Sequence, residues 1–278
     1  VDEALGFSLS TVMREGPEDL LTRTDNAQPA ILAHTAAVWA LVRGKLAGQV
    51  AAAAGHSLGE YGAYVAAGSL GLADAARLVR RRGELMRAAG DARPGTMAAV
   101  MGLDAERVAA ICREASTGGE VAVAANFNAP DQTVISGDPA AVARAGDLLK
   151  AAGAKRVLPL KVSGAFHSPL MAPPAAQFAT DLDAVALAAP AFPVVANASA
   201  TVVAEPAEAR RLLAAQLTSP VRWVEGVRRL AELAGVAVRF VEIGPGTVLT
   251  GLAQRIVGGS EKMNLGTAAE VAAYLEAR

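Results

Sequence analysis

Residues 50–67 constrain this chain more than any other stretch. Val50 to Ala54 is a short apolar run of small side chains, and it stops at Gly55. Ser57 follows, and a helical pattern runs on to about Ala67. A continuous apolar run of this length reads as a buried parallel strand, covered on both faces. A strand that turns straight into a helix points to an α/β fold with a largely parallel sheet. The pentapeptide at the turn, Gly55-His56-Ser57-Leu58-Gly59, matches G-x-S-x-G. In that pattern the serine sits on a tight strand-to-helix turn with its hydroxyl pointing out, and the flanking glycines let neighbouring elements approach.

The alternation continues along the chain. A helix is expected from near Gln28-Pro29, with Pro29 in its first turn and Ile31, Leu32, His34, Val38, Trp39, Val42 and Leu46 at helical spacing. Another spans Asp74 to Met86, acidic at its start and rich in Arg later. Residues 95–163 form a different unit. Strand-like Thr96–Leu103, helical Asp104–Ala115, strands Val121–Phe127 and Gln132–Ser136, helical Asp138–Ala152 and strand Arg156–Val162 give the order β-α-β-β-α-β. That is a ferredoxin-like small subdomain, with Asp138-Pro139 expected as cap and first turn of its second helix. Beyond it come an alternating run (Phe192–Ala196), a helix (Val221–Leu233), a strand (Val236–Ile243) and a helix from near Thr247. Residues 1–94 and 164–278 therefore make the large α/β subdomain, with 95–163 inserted in it.

Composition removes several classes of function. Of 278 residues, 53% are hydrophobic and 19% charged, so the chain can bury a sizeable core. The net charge of −1 provides no field for nucleic acid or an anionic membrane. One cysteine, Cys112, precludes a disulfide within the chain and fits a reducing, cytoplasmic setting. Its place on the periodic face of a helix makes it a small buried hydrophobe. Three histidines and one cysteine are too few for a metal cluster, and no apolar run reaches membrane-spanning length. The expectation is an enzyme without metal or redox cofactor, and a monomer, since the fold needs no partner chain to complete it.

Ser57 is the candidate nucleophile, and the Leu58 N–H at the helix N-terminus is positioned to stabilise an oxyanion. A serine hydroxyl needs a base. His34 falls mid-helix among apolar residues and reads as packing. His56 adjoins the nucleophile, but its side chain should leave the turn in another direction. His167, in Val162-Ser-Gly-Ala-Phe-His-Ser-Pro-Leu-Met171, follows a strand end and remains as the base. No Asp or Glu between Ser57 and His167 stands out as a third member. A backbone carbonyl can fix the imidazole tautomer instead.

Six segments together, GHSLGEYGAYVAAG, LVRRRGELM, NFNAPDQTVISG, VSGAFHSPLM, QLTSPVRW and EIGPGTVLTGL, resemble the malonyl-CoA:acyl carrier protein transacylases and the related acyltransferase domains of polyketide synthases. The resemblance spans nearly the whole chain. It implies an α/β-hydrolase-like large subdomain with a ferredoxin-like small one and a cleft between them. It implies a Ser57–His167 dyad, with His167 held by backbone carbonyls that include that of Gln216. It places Arg82 against the acyl carboxylate, where a guanidinium can grip bidentately; Arg80 and Arg81, rotated away around the helix, are expected to be solvated. The aromatic Phe166 beside the base accompanies malonyl selectivity in related acyltransferases. Arg82, Phe166 and Gln216 are thus the expected substrate-binding residues, coenzyme A thioester the substrate, and an acidic acyl carrier protein the partner, met by Lys155, Arg156 and Lys161.

One departure stands out. The family opens with a strand and a Gly-Gln-Gly-Ser-type loop whose Gln N–H is a second oxyanion donor, and nothing in residues 1–27 matches it. One such donor is worth about 3 kcal/mol in the transition state, so further residues before Val1 are expected in the native protein. Two rival readings share parts of the pattern. An α/β-hydrolase-type esterase or thioesterase wants an acid before a late histidine, yet more than a hundred residues follow His167. An inactive scaffold subunit would explain the absent loop but not the intact Ser57, His167 and Arg82.

Overall fold

The computed structural model describes residues 1–162 and 164–277. Three short helices, α1 (Asp2–Leu5), α2 (Leu9–Glu15) and α3 (Glu18–Thr22), precede the long α4 (Thr24–Leu46). Pro29 lies inside α4, not at its start. A proline withholds the N–H that the carbonyl four residues back would accept. Arg80 Nη1 donates to that Asp25 carbonyl at 3.0 Å instead, so the helix can begin before the proline. Arg80 also pairs with Glu84 and Asp25 and is largely covered. It is a structural side chain, not the solvated one its sequence position suggests; Arg81 does face outward, against Asp181.

Helices α5 (Gly59–Ala66) and α6 (Leu72–Ala92) follow. Gly83 lets α6 lie directly on α4, since a Cβ there would stand 2.6 Å from Asp25 Cα. Ala75, Leu78, Val79, Arg82, Leu85 and Met86 are buried along one side of α6, the stripe that helical periodicity produces. All of these except Arg82 join Tyr61 and Tyr64 of α5, Phe178, Leu182 and Leu213 in the main hydrophobic core.

Residues 96–159 form β1 (Thr96–Met101), α7 (Ala105–Ala115), β2 (Ala122–Ala129), β3 (Gln132–Gly137), α8 (Pro139–Ala151) and β4 (Arg156–Pro159). The four strands make one antiparallel sheet in the order β2-β3-β1-β4. The β-α-β-β-α-β order read from periodicity is the one observed. Val100, Val108, Ile111, Cys112, Ile135 and Leu149 give this sheet and its two helices a core of their own. Strand β4 stops at Pro159, short of Val162; the bond from Leu160 N to Met97 O is the last to the sheet. Asp138 precedes α8, but its carboxylate does not cap the helix. It accepts from Arg93 and from Val121 N, a stronger pairing that ties the sheet to the end of α6.

The chain continues through α9 (Ala172–Asp183), β5 (Val194–Val195), β6 (Val202–Val203), α10 (Pro206–Ala215), α11 (Trp223–Ala234), β7 (Arg239–Ile243), α12 (Val248–Ile256), β8 (Glu261–Leu265) and α13 (Ala268–Glu276). Strands β7 and β8 pair in parallel, and Ala53 bridges Val194 in the same sense. Val50–Ala54 does not form a strand along its length; among the described residues only Ala53 pairs. Its partner β5 is two residues long and is also paired with β6, which leaves little edge to match. The small sheet docks through the edge of β2: Phe127 N donates to Val221 O at 2.9 Å, and Val221 N to Ala125 O at 2.8 Å. That contact brings Asn128 to the turn that carries Ser57.

Candidate active site

The turn before α5 is tight enough to dictate its own residues. A Cβ on Gly55 would lie 1.9 Å from the carbonyl carbon of Gly59, so only glycine fits. Gly59 has open space where its Cβ would stand, so the steric requirement of the motif falls on Gly55 alone. Ser57 sits at φ 49°, a left-handed conformation that a non-glycine residue adopts at a cost. Its backbone is gripped from both sides. Ser57 N donates to Asn197 Oδ1 at 2.6 Å, and Ser57 O accepts from Gln216 Nε2 at 3.0 Å. Leu58 is the N-cap of α5. Its N–H has no acceptor among the described residues and points with the first turn of the helix, where a developing negative charge is stabilised.

Ser57 Oγ lies 2.8 Å from His167 Nε2. His167 is almost fully buried and also left-handed, at φ 56°. Its Nδ1 is 2.9 Å from the carbonyl of Gln216, which can only accept, so Nδ1 carries the proton and Nε2 presents its lone pair to the serine. Burial pushes the His167 pKa down to about 3, with the Arg82 charge acting in the same direction. The imidazole is therefore neutral at ordinary pH and competent as a base.

Arg82 is 1% exposed and reaches the same point from α6. Its Nη2 donates to Ser57 Oγ at 3.0 Å and to Gln216 Oε1 at 2.9 Å, and its Nη1 to Gln28 Oε1 at 2.7 Å. The Nε–H has no partner among the described residues. A guanidinium held only by neutral oxygens beside a nucleophile is a receptor for an anionic group. Phe166 borders the site on the His167 loop, packed between the main core and the Met97, Ala99, Ala125 and Val134 face of the small sheet.

The structure thus brings Ser57, Leu58, His167, Arg82, Phe166 and Gln216 together. His34 takes a packing role, with Nε2 2.9 Å from Gly266 O. His56 turns away from the serine to Asn128 Oδ1 at 2.8 Å, its ring against Trp223. Four further residues escaped sequence reasoning: Gln28, Asn128, Asn197 and Glu60. Asn197 holds the serine turn through Ser57 N and Gly55 O. Glu60 is wholly buried, and its Oε2 accepts from Asn197 N and Gln216 Nε2. A charged residue in the first turn after an apolar turn was the one available signal, and it reads equally well as a helix-dipole residue. Among the described residues, no group of three or more His, Cys, Asp or Glu side chains is placed to hold a metal ion, and no helix is long and apolar enough to cross a membrane.

Comparison with known proteins identifies the family. The acyl transferase domain family matches residues 1–273. The malonyl CoA-acyl carrier protein transacylase of Haemophilus influenzae is 43% identical over 275 residues, which cover 99% of this chain and 87% of that protein. The acyl carrier protein S-malonyltransferase structure from Vibrio cholerae superposes with a TM-score of 0.92 at 42% identity, covering 98% of this chain and 88% of that one. A malonyl-transacylase solved in complex with its type II PKS acyl-carrier protein gives a TM-score of 0.93 at 41% identity, covering 99% and 88%. Matched by the family model over residues 1–273 and by relatives 43% and 42% identical along nearly its whole length, the chain belongs to the acyl transferase domain family.

Proposed function

We propose that this protein transfers a malonyl group from malonyl-CoA to the phosphopantetheine thiol of an acyl carrier protein, through a malonyl ester on Ser57. The observation that carries this reading is the convergence of His167 Nε2 and Arg82 Nη2 on one Ser57 Oγ, at 2.8 and 3.0 Å. Base and carboxylate receptor then lie within one acyl length of the nucleophile.

Ser57 Oγ attacks the thioester carbonyl while its proton passes to His167 Nε2. The Leu58 N–H donates to the oxyanion. The C–S bond breaks, and coenzyme A leaves as the thiol after taking the proton from His167. The carrier thiol then attacks the ester, and the steps run in reverse. Arg82 exchanges its bonds to neutral oxygens for the malonyl carboxylate, so an uncharged acyl group leaves the buried guanidinium less well satisfied. Phe166 crowds the acyl α-carbon and disfavours branched groups. The chemistry uses side chains and the coenzyme A thioester alone.

The carrier surface we assign is the exposed edge at β4. Lys155, Arg156 and Lys161 are solvent-facing there, and the chain runs from this edge into the loop of His167. An acidic partner seated on it would have its thiol near the cleft. We read the architecture as an α/β-hydrolase-like subdomain, 1–94 and 164–278, with a ferredoxin-like one, 95–163, and the site between them. A cytoplasmic monomer fits the single buried thiol at Cys112. The esterase reading is weaker, because His167 is oriented by a carbonyl and not by a carboxylate.

Intact mass after incubation with malonyl-CoA tests the proposal. A malonyl adduct on the parent and none on Ser57→Ala is the expected result. Turnover of simple esters without any stable adduct would favour the hydrolase instead.

A further inference from the structure

Glu60 has no place in the transfer steps, yet it lies at the centre of the residues that perform them. It is wholly buried. Oε2 accepts from Asn197 N at 3.0 Å and from Gln216 Nε2 at 2.7 Å, while Oε1 has no partner among the described residues. Gln216 is the link to the guanidinium: its Nε2 donates to Glu60, and its Oε1 accepts from Arg82 at 2.9 Å. What favours the ionised form of this carboxyl is the pair of donors, Gln216 Nε2 and Asn197 N, and then the Arg82 charge behind Gln216.

The other groups around Glu60 do not supply charge. On its own helix the titratable neighbours are Tyr61 and Tyr64, whose hydroxyls burial pushes up and keeps neutral. Helix α6 contributes Arg82, the charge that Glu60 feels. His167 is neutral. From α4 the side chain reaching Arg82 is the amide of Gln28, and the Asn197 and Gln216 segments also present amides. Glu208 of α10 is felt at Tyr64. Among the described residues the site therefore brings together one cation, Arg82, and one carboxyl group, Glu60.

A carboxylated acyl group on Ser57 adds a second anion to that pair. Two carboxyl groups then lie near one guanidinium, the acyl one on it and Glu60 behind Gln216, and the like charge disfavours ionisation of Glu60, the one the guanidinium does not touch. We propose that Glu60 is the charge-balancing positioning residue of this site: it takes up one proton when a carboxylated acyl group is loaded on Ser57 and stays ionised when the acyl group is neutral. The inference rests on the transfer reading above. The step balances as malonyl-S-CoA plus the Ser57 hydroxyl and one solvent proton, giving malonyl-O-Ser57, free coenzyme A thiol and Glu60 as the acid. Burial already raises the Glu60 pKa to about 7 from 4.5, with Gln216, Asn197 and Arg82 pulling against it, so a modest further push suffices near neutral pH. Protonated, Glu60 can still accept from Gln216 and Asn197, so the supports of Ser57 and His167 stay in place as the charge changes.

The test is competitive loading of the whole chain with malonyl-CoA and acetyl-CoA at fixed free coenzyme A, read as adducts by intact mass. Ionisation of coenzyme A affects both acyl groups alike and cancels in the ratio, and His167, held at about 3, titrates far below the window read. In the native sequence, the malonyl-to-acetyl ratio at equilibrium should fall by roughly tenfold per pH unit above about pH 7, the slope of a one-proton linkage. Glu60→Gln should flatten it, and Glu60→Asp should keep a slope. Should Glu60→Gln fail to fold, the infrared difference between malonylated and acetylated native protein replaces it. With isotope-labelled malonyl to remove the ligand band, a protonated-carboxyl band from the protein must appear only on malonylation. A ratio independent of pH, an equal slope in Glu60→Gln, or absence of that band overturns the proposal while leaving the transferase intact. No adduct on Ser57 from malonyl-CoA overturns the transferase reading and this proposal with it.

Discussion

Replacing Arg82 with alanine separates the carboxylate receptor from the acyl-transfer machinery. In the structure the guanidinium is held by Gln28 Oε1, Gln216 Oε1 and Ser57 Oγ, all neutral acceptors. With an ionised donor each such bond contributes about 1.5 kcal/mol, and one to a carboxylate reaches the upper end, about 3 kcal/mol. Exchanging two of the first kind for two of the second favours malonyl over acetyl by about 3 kcal/mol, roughly a hundredfold. Arg82→Ala should lose that factor in kcat/KM discrimination, measured by loading from mixed malonyl-CoA and acetyl-CoA, quenching and intact mass. Arg82→Lys should retain part of it, since an ammonium keeps the charge without the bidentate fork. Stability should fall as well. Gln28 Oε1 and Gln216 Oε1 lose their donor in a closed pocket, and two buried unsatisfied acceptors cost about 1–3 kcal/mol each, a drop in Tm of roughly 10 °C. An unchanged malonyl-to-acetyl ratio in a folded Arg82→Ala protein that still acylates Ser57 would refute the reasoning, because the selectivity would then come from elsewhere.

Gly55→Ala should abolish Ser57 acylation and lower Tm, because its Cβ would fall 1.9 Å from backbone that cannot give way; overpacking of this sort costs about 1–3 kcal/mol or more. The stability–pH profile should carry two opposing signatures. His167 is depressed from 6.5 to about 3, so its contribution is present above 6.5 and lost as pH falls toward 3. Glu60 is raised from 4.5 to about 7, so its contribution is full below 4.5 and lost as pH rises through 7. The two slopes offset one another between 4.5 and 6.5, and Glu60→Gln should expose the His167 slope there in chemical denaturation. Charge reversal at Arg156 and Lys161 should raise KM for carrier protein and leave KM for malonyl-CoA unchanged. Phe166→Ser should raise the use of methylmalonyl-CoA by roughly tenfold, seen as the branched adduct in competitive loading.

Much of the fold was legible because its signals are local. The periodicities of α5, α6, α7 and α8 and of strands β1 to β3 lie within a few residues of one another in sequence. The weaker segments were not. Helices α9, α10 and α13 and strand β8 went unread, although α9 and α10 carry proline in their first turn and α13 opens on a Thr267–Glu270 capping box, and β5 keeps only two paired residues of the expected Phe192–Ala196. Pro29 misled as a helix start because the donor that excuses it, Arg80, is 51 positions further on. Asp138 was misplaced as a cap because Arg93 outbids a neutral backbone N–H for its carboxylate.

The same division runs through the site. Ser57 and Leu58 are legible since the Gly55–Gly59 turn and the helix after it are contacts between near neighbours. His167 followed by elimination among three histidines, and Arg82, Phe166 and Gln216 entered by family resemblance. Asn197, Gln28 and Glu60 could not be found that way. Asn197 grips Ser57 N across 140 positions, and Gln216 meets Glu60 across 156. No periodicity records such a pairing. Sequence alone therefore settled the α/β class and the Gly55–Gly59 turn that carries Ser57, where contacts run within one or two turns of helix. Tertiary structure decided which amides hold Ser57 and His167, that Arg82 is gripped only by neutral oxygens, and that a buried carboxyl, Glu60, stands on the far side of Gln216. Those outcomes depend on burial and on distances between elements remote in the chain, which only packing establishes.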